Sequence, residues 1–177
     1  MTTVAIARYG AGNVRSVELA LRRLGAELVD DLDAADLVIL PGVGSARSAM
    51  EGLGAAVDTL RERHASGRPI LGICLGLQLA LDETEEDGGV AGLGLVPGRA
   101  LRLREGRVPR IGWAPVEPSG GTYWFAHSYA CETDATIAWS EGHAAIIESG
   151  SFTGVQFHPE KSGPAGATFL ESCLSRA

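Results

Sequence analysis

The stretch Pro69-Ile70-Leu71-Gly72-Ile73-Cys74-Leu75-Gly76 decides the architecture, because an apolar run breaks into small residues around a cysteine and a helical pattern follows. The run predicts a buried strand ending at Ile73, and the pattern predicts a helix from about Leu75. Small flanking residues let the chain turn tightly and present the thiol, the cysteine counterpart of a nucleophile elbow. The positive end of the helix favours the thiolate, which is the form that attacks. Taken alone, a cysteine in a Gly-rich apolar segment is more often a small buried hydrophobe. A second motif changes that reading: Val155-Gln156-Phe157-His158-Pro159-Glu160 ends a predicted strand in a histidine, with a carboxylate two residues on. Cys74, His158 and Glu160 then supply nucleophile, base and orienting acid, the set a thiol hydrolase needs.

Outward from Cys74, the first half alternates strands and helices. Val4 to Ala7 reads as a buried strand, closed by the turn Tyr9-Gly10-Ala11-Gly12-Asn13. Val14, Val17, Leu21 and Leu24 recur at helical spacing, and Gly25 ends that helix. Ala26 to Val29 and Asp36 to Leu40 are further strands; Ser45 caps a helix expected to run to about Ala65. Continuous apolar strands separated by helices predict an α/β fold, an open and mostly parallel sheet with helices on both faces. The second half changes character. Strands are expected over 98–103, 107–113, 122–129, 136–139, 144–148 and 152–157, an antiparallel portion added to the sheet, before a last helix over about 166–174. Residues 84–89 read as an acidic surface loop. No internal repeat or boundary divides residues 1–177, which are expected to form a single domain.

A net charge of −7 argues against a nucleic-acid binder relying on a broad basic surface. The three cysteines, Cys74, Cys131 and Cys173, are odd in number and irregularly spaced, so no disulfide framework is implied. No CxxC, HExxH or Cys/His cluster suggests a metal, and no cofactor motif is present. The apolar runs fall far short of a membrane span, and Met1 to Arg8 does not resemble a signal peptide. A cytoplasmic protein with reduced thiols is expected.

Pro41-Gly42-Val43-Gly44 sits where a strand gives way to a helix. The backbone N–H groups of Gly42, Val43 and Gly44 could receive a developing negative oxygen, although a plain strand-to-helix turn has the same composition. Gln78 follows Cys74 by one helical turn and reaches the same face, or is an exposed helix glutamine. His64 and His143 are expected at the surface. His127 reads as a structural histidine that could border a pocket. The Gly44 loop, Cys74 and His158 each follow a strand, so all three meet at one sheet edge.

Gly-Ile-Cys-Leu-Gly-Leu-Gln at 72–78 together with His-Pro-Glu at 158–160 resembles the class I (triad) glutamine amidotransferases. Within that class, Pro-Gly-Val-Gly at 41–44, Gly-Leu-Gly-Leu-Val-Pro-Gly at 92–98, Ile-Gly-Trp at 111–113, His-Ser-Tyr at 127–129 and Gly-Val-Gln-Phe-His-Pro-Glu-Lys-Ser-Gly at 154–163 resemble one branch, the glutaminase subunits of imidazole glycerol phosphate synthase. The resemblance implies hydrolysis of the L-glutamine side-chain amide through a thioester on Cys74. It implies transfer of the ammonia to a (β/α)8-barrel cyclase subunit that forms imidazole glycerol phosphate and aminoimidazole carboxamide ribotide in histidine biosynthesis. It also implies that Gly44, Gln78, Ser128 and Tyr129 hold glutamine, that Asn13, Trp113 and Lys161 face the cyclase, and that the 41–44 loop gates activity. Arg8, Arg110 and Ala114 depart from the branch pattern, and the segment between Trp113 and Tyr123 is short. Two other readings stay open on the residues alone: a non-catalytic subunit with a fossil triad, and a thiol peptidase of similar fold.

Overall fold

The computed structural model describes residues 1–10, 14–42 and 44–177; the expectations for Asn13 and Val43 lie outside the described residues. The first half runs β1 (Thr3–Ile6), α1 (Arg15–Arg23), β2 (Glu27–Val29), β3 (Leu37–Leu40), α2 (Ala46–Leu53), α3 (Ala56–Ala65), β4 (Ile70–Ile73) and α4 (Leu75–Ala80). The second half adds β5 (Glu83–Thr84), β6 (Val90–Ala91), β7 (Arg99–Arg102), β8 (Arg110–Pro115), β9 (Thr122–His127), β10 (Tyr129–Glu132), β11 (Thr136–Ser140), β12 (His143–Ser149), β13 (Phe152–Val155) and α5 (Gly163–Ser175).

The main sheet has seven strands in the order β11-β12-β13-β4-β3-β1-β2. Its five strands from β13 to β2 are parallel, while β12 and β11 add antiparallel at one edge. Side chains alternate across a strand, so neighbouring residues feed different cores. Val38 and Leu40 join Leu53, Leu60 and Leu77 of α2, α3 and α4. Leu37 and Ile39 join Val17 and Leu21 of α1 and Leu170 of α5 on the opposite face. All four residues of β3 and all four of β4 are buried, which is why these strands read as unbroken apolar runs.

Away from the carboxyl ends of these strands, a buried guanidinium ties loops together. Arg63 of α3 donates to the carbonyls of Leu32, Ala35, Asp36 and Pro69 at 2.7 to 3.1 Å. The planar fork satisfies four backbone acceptors at once, which explains a fully buried cation with no ion-pair partner within salt-bridge distance among the described residues.

Three expectations are corrected. The helix expected from Ser45 to Ala65 is two helices, because Gly54 adopts φ 49° and ends α2, although Ser45 does cap it by accepting from Ser48 N–H. The strand expected over 122–129 breaks at Ser128 into β9, which pairs only with β8, and β10, which belongs to a separate four-stranded sheet, β10-β7-β5-β6. The 84–89 segment is not a plain surface loop: it carries the end of β5 and a short helical turn at Glu86–Gly88 that packs on the start of α2. Among the described residues no helix is long and apolar enough to cross a membrane.

Candidate active site

The chain turns at Cys74 with φ 49° and ψ −102°, a conformation side chains rarely adopt. Close approach of backbones enforces it. A Cβ at Gly76 would collide with the Leu40 carbonyl, one at Gly72 would lie 2.8 Å from the Gly76 carbonyl oxygen, and one at Gly42 would lie 2.7 Å from Cys74 Cβ. Three glycines therefore press the ends of β3 and β4 and the first turn of α4 together, leaving the thiol at the crest. Cys74 N–H donates to the Val155 carbonyl at 2.7 Å, which ties the elbow to the end of β13.

Beyond β13 the chain bends at Gln156 and Phe157 and is extended again at His158. Phe157 turns into the apolar core, stacked on Tyr123, while Gln156 and His158 face Cys74. His158 N–H donates to the Trp124 carbonyl at 2.8 Å, fixing that backbone against the β8–β9 hairpin. The ring then bridges two partners. Nδ1 lies 2.9 Å from Glu160 Oε1, both side chains being nearly buried, and the Cys74 side chain is the second group acting on the ring. Burial works against a charge on His158, but the sulfur and the carboxylate outweigh it and hold the pKa near 9. The imidazolium is thus the resting form at neutral pH, ready to give up a proton.

A cavity of about 320 Å³ opens over the sulfur. Gly42, Gly44, Gln78, Ser128 and Tyr129, all expected at the site, line it together with Cys74. Gln78 is buried rather than an exposed helix residue: its amide donates to the Tyr129 carbonyl at 3.1 Å and to Gln156 Oε1 at 3.3 Å. Trp113 and Lys161 are exposed and do not border the cavity. Trp113 meets Trp124 edge-on at 5.8 Å, which places it on the hairpin that supports His158.

Three residues contribute more than sequence reasoning gave them. Glu86 lines the cavity, and its Oε2 accepts from Ala46 N–H at the start of α2 at 3.0 Å. Burial raises its pKa, the N–H contact opposing and Asp87 adding to the shift. No local pattern marks Glu86, since its partner lies forty residues away. His127 also borders the cavity; its Nδ1 faces the Tyr129 carbonyl at 2.8 Å, so Nδ1 carries the hydrogen and Nε2 accepts from Arg110 at 3.3 Å. Burial lowers its pKa to about 4, so it stays neutral. Gln156 places Nε2 3.6 Å from the sulfur, and its spacing two before His158 does not by itself distinguish it from the polar position of an alternating strand. Contrary to expectation, His64 and His143 are only partly exposed, and His64 meets Ser151. Among the described residues no group of His, Cys, Asp and Glu is arranged to hold a metal ion.

A cysteine with an imidazolium and a buried carboxylate, facing a small cavity with one acidic wall, can carry out acyl transfer from a small amide. Known proteins agree. A family model described as glutamine amidotransferase class-I matches residues 4–177. A protein of Natronomonas pharaonis named imidazole glycerol phosphate synthase subunit HisH is 41% identical over 206 residues, covering 98% of this chain and 96% of its own. The protein of the same name from Methanothermobacter thermautotrophicus is 42% identical, with 96% of each chain covered. A solved structure described as a glutamine amidotransferase superposes over the full length of both chains with a TM-score of 0.79 at 19% identity, a likeness of fold. The chain belongs to the class-I glutamine amidotransferase family.

Proposed function

We propose that residues 1–177 form one domain acting as the glutaminase subunit of imidazole glycerol phosphate synthase, a cytoplasmic enzyme of histidine biosynthesis. In this reading it releases ammonia from L-glutamine for a (β/α)8-barrel cyclase subunit. The observation that carries it is the Cys74 thiol in the wall of a small cavity, with His158 acting on it and bonded in turn to the buried Glu160. Family membership and the near-full-length similarity to two proteins of that name support the branch.

Each residue then takes a chemical task. The Cys74 sulfur attacks the glutamine carboxamide carbon, and the bond to nitrogen breaks as His158 delivers its proton to the departing ammonia. Water, deprotonated by the now neutral His158, attacks the γ-glutamyl thioester and releases glutamate, returning the proton to the imidazole. Glu160 holds the ring in one tautomer. The Gly42–Gly44 segment supplies N–H groups for the tetrahedral oxygen, each worth about 3 kcal/mol when aligned. Gln78, Ser128 and Tyr129 line the substrate, and Glu86 offers an acceptor for its α-ammonium group. Trp113 and Lys161 face the cyclase.

The test combines the chain with the cyclase of the same organism and the cyclase's nucleotide substrate, and follows glutamate and imidazole glycerol phosphate. Glutamate release should rise on adding the partner and its ligand. Free ammonium at high pH should sustain the cyclase without this chain. A complex that forms but releases no glutamate, or a cyclase that ammonium cannot supply, would refute the ammonia-donor role.

A further inference from the structure

The triad leaves two contacts of the sulfur unexplained: as a thiol it donates to the Ala126 carbonyl at 3.8 Å, and on its other side lies a group placed to donate to it. Gln156, fully buried, places Nε2 at 3.6 Å from Cys74 Sγ, within reach of a sulfur hydrogen bond. An amide can present either an oxygen or an N–H group to a neighbour, and its neighbours decide which. Here the decision starts at a backbone carbonyl. Tyr129 C=O can only accept, and it takes His127 Nδ1–H at 2.8 Å and one N–H of Gln78 at 3.1 Å. Its two acceptor positions are filled, and Gln78 is fixed with its NH2 group inward. The second N–H of Gln78 points at Gln156 at 3.3 Å, which requires the oxygen of Gln156 there. The NH2 group of Gln156 is then left for the sulfur.

We propose that Gln156 is a further catalytic residue of the nucleophile, an N–H donor held on the Cys74 sulfur by a chain of hydrogen bonds whose polarity is set at the Tyr129 carbonyl. Its contribution is to solvate the thiolate of a largely buried side chain, where a charge short of partners is costly. The backbone explains the geometry. Cys74 N–H on Val155 C=O locks the elbow to β13, and Gln156 N–H on Ala145 C=O at 3.0 Å locks the next residue to β12. Gln156 and His158, on either side of the core residue Phe157, are thereby both brought to the Cys74 side. Besides His158, the nearby titratable groups offer the sulfur no charge: Cys131 is kept neutral by burial, and His127 is neutral and turned to Tyr129. This rests on Cys74 being the nucleophile of the proposed glutaminase, but its test needs no glutamine.

The test is the rate of Cys74 alkylation by iodoacetamide against pH, in the full chain, with the modified residue located by peptide mapping to separate Cys74 from Cys131 and Cys173. Gln156→Met keeps the length and removes the donor. Near neutral pH its alkylation should slow about tenfold, and the two rates should converge in alkali, where the thiol ionises in either protein. A profile unchanged in folded Gln156→Met overturns the proposal. So does a loss that persists equally in alkali, since that marks a displaced or covered sulfur. If Gln156→Met does not fold, Gln156→Glu carries the same test: an acidic group facing the sulfur should slow alkylation by more than tenfold at neutral pH, and an unchanged rate refutes the donor role. A failure of glutamine turnover with the alkylation effect intact would count against the glutaminase reading alone.

Discussion

His158 Nδ1 lies 2.9 Å from Glu160 Oε1, and the two side chains are 5% and 4% exposed. Two residues of sequence separation suffice because Pro159 starts a single helical turn that folds the carboxylate back under the ring. The ring is thereby held beside the Cys74 thiol.

Glu160→Gln keeps the shape of that contact but offers an amide N–H or a weaker oxygen to the ring. The orientation and the stabilising charge are lost, and turnover should fall about a thousandfold with little change in the thermal midpoint. Steady-state glutamate release in the presence of the cyclase measures it. Loss of only a few fold would remove Glu160 from the catalytic set.

The pKa of His158 near 9 sets the alkaline limit of activity. The proton needed by departing ammonia is present up to that point and is lost as pH rises through it, so kcat should decline above about pH 9. In Glu160→Gln one of the groups favouring the charge is neutral, and the limb should move to lower pH. The pH profile of kcat for the two proteins decides this, and coincident alkaline limbs would contradict it.

His127 works in the opposite direction. Its folded pKa near 4 lies below the unfolded value of 6.5, so the fold favours the neutral ring. The resulting stabilisation is present in full above about pH 6.5 and is lost as pH falls toward 4, a change on the order of 3 kcal/mol. Urea unfolding across that window should show the loss, and His127→Gln should flatten it. A slope unchanged in the variant would place the acid sensitivity elsewhere.

Glycines at the site differ from those in exposed turns. Gly76→Ala puts a methyl group into the Leu40 carbonyl and should cost roughly 3 kcal/mol or prevent folding. Gly142, at φ 83° in open space between β11 and β12, should lose only about 1 kcal/mol on the same change. Denaturant midpoints of the two variants compare steric closure with backbone preference, and equal losses would argue against the close packing of β3 on α4.

What could be read in the sequence follows from how local each signal is. The strand ending at Ile73, the elbow and the parallel core were legible because β3 and β4 are buried on both faces and read as apolar runs. The Cys74, His158 and Glu160 assembly followed from each lying at the end of a predicted strand or just after it. The small sheet was not legible: β5 and β6 are two residues each, pair with one another, and join the sheet through β5 on distant β7 rather than by a pattern of their own. Glu86 was hidden among acidic neighbours because its partner is the start of α2. Gln156 looked like the polar position of an alternating strand, and only the placement of Cys74 beside β13 shows that its polar end faces the candidate active site. Gly54 carried a readable signal for the helix break, but the apolar spacing on both sides of it masked the break.

The most direct test is glutamate release from glutamine by the wild-type chain and by Cys74→Ala, each in complex with the cyclase and its nucleotide substrate. The account predicts turnover by the wild type, together with a γ-glutamyl thioester on the peptide carrying Cys74 when the reaction is quenched. It predicts neither in Cys74→Ala, although that variant should fold and bind the cyclase. Glutamate release retained by folded Cys74→Ala would contradict it.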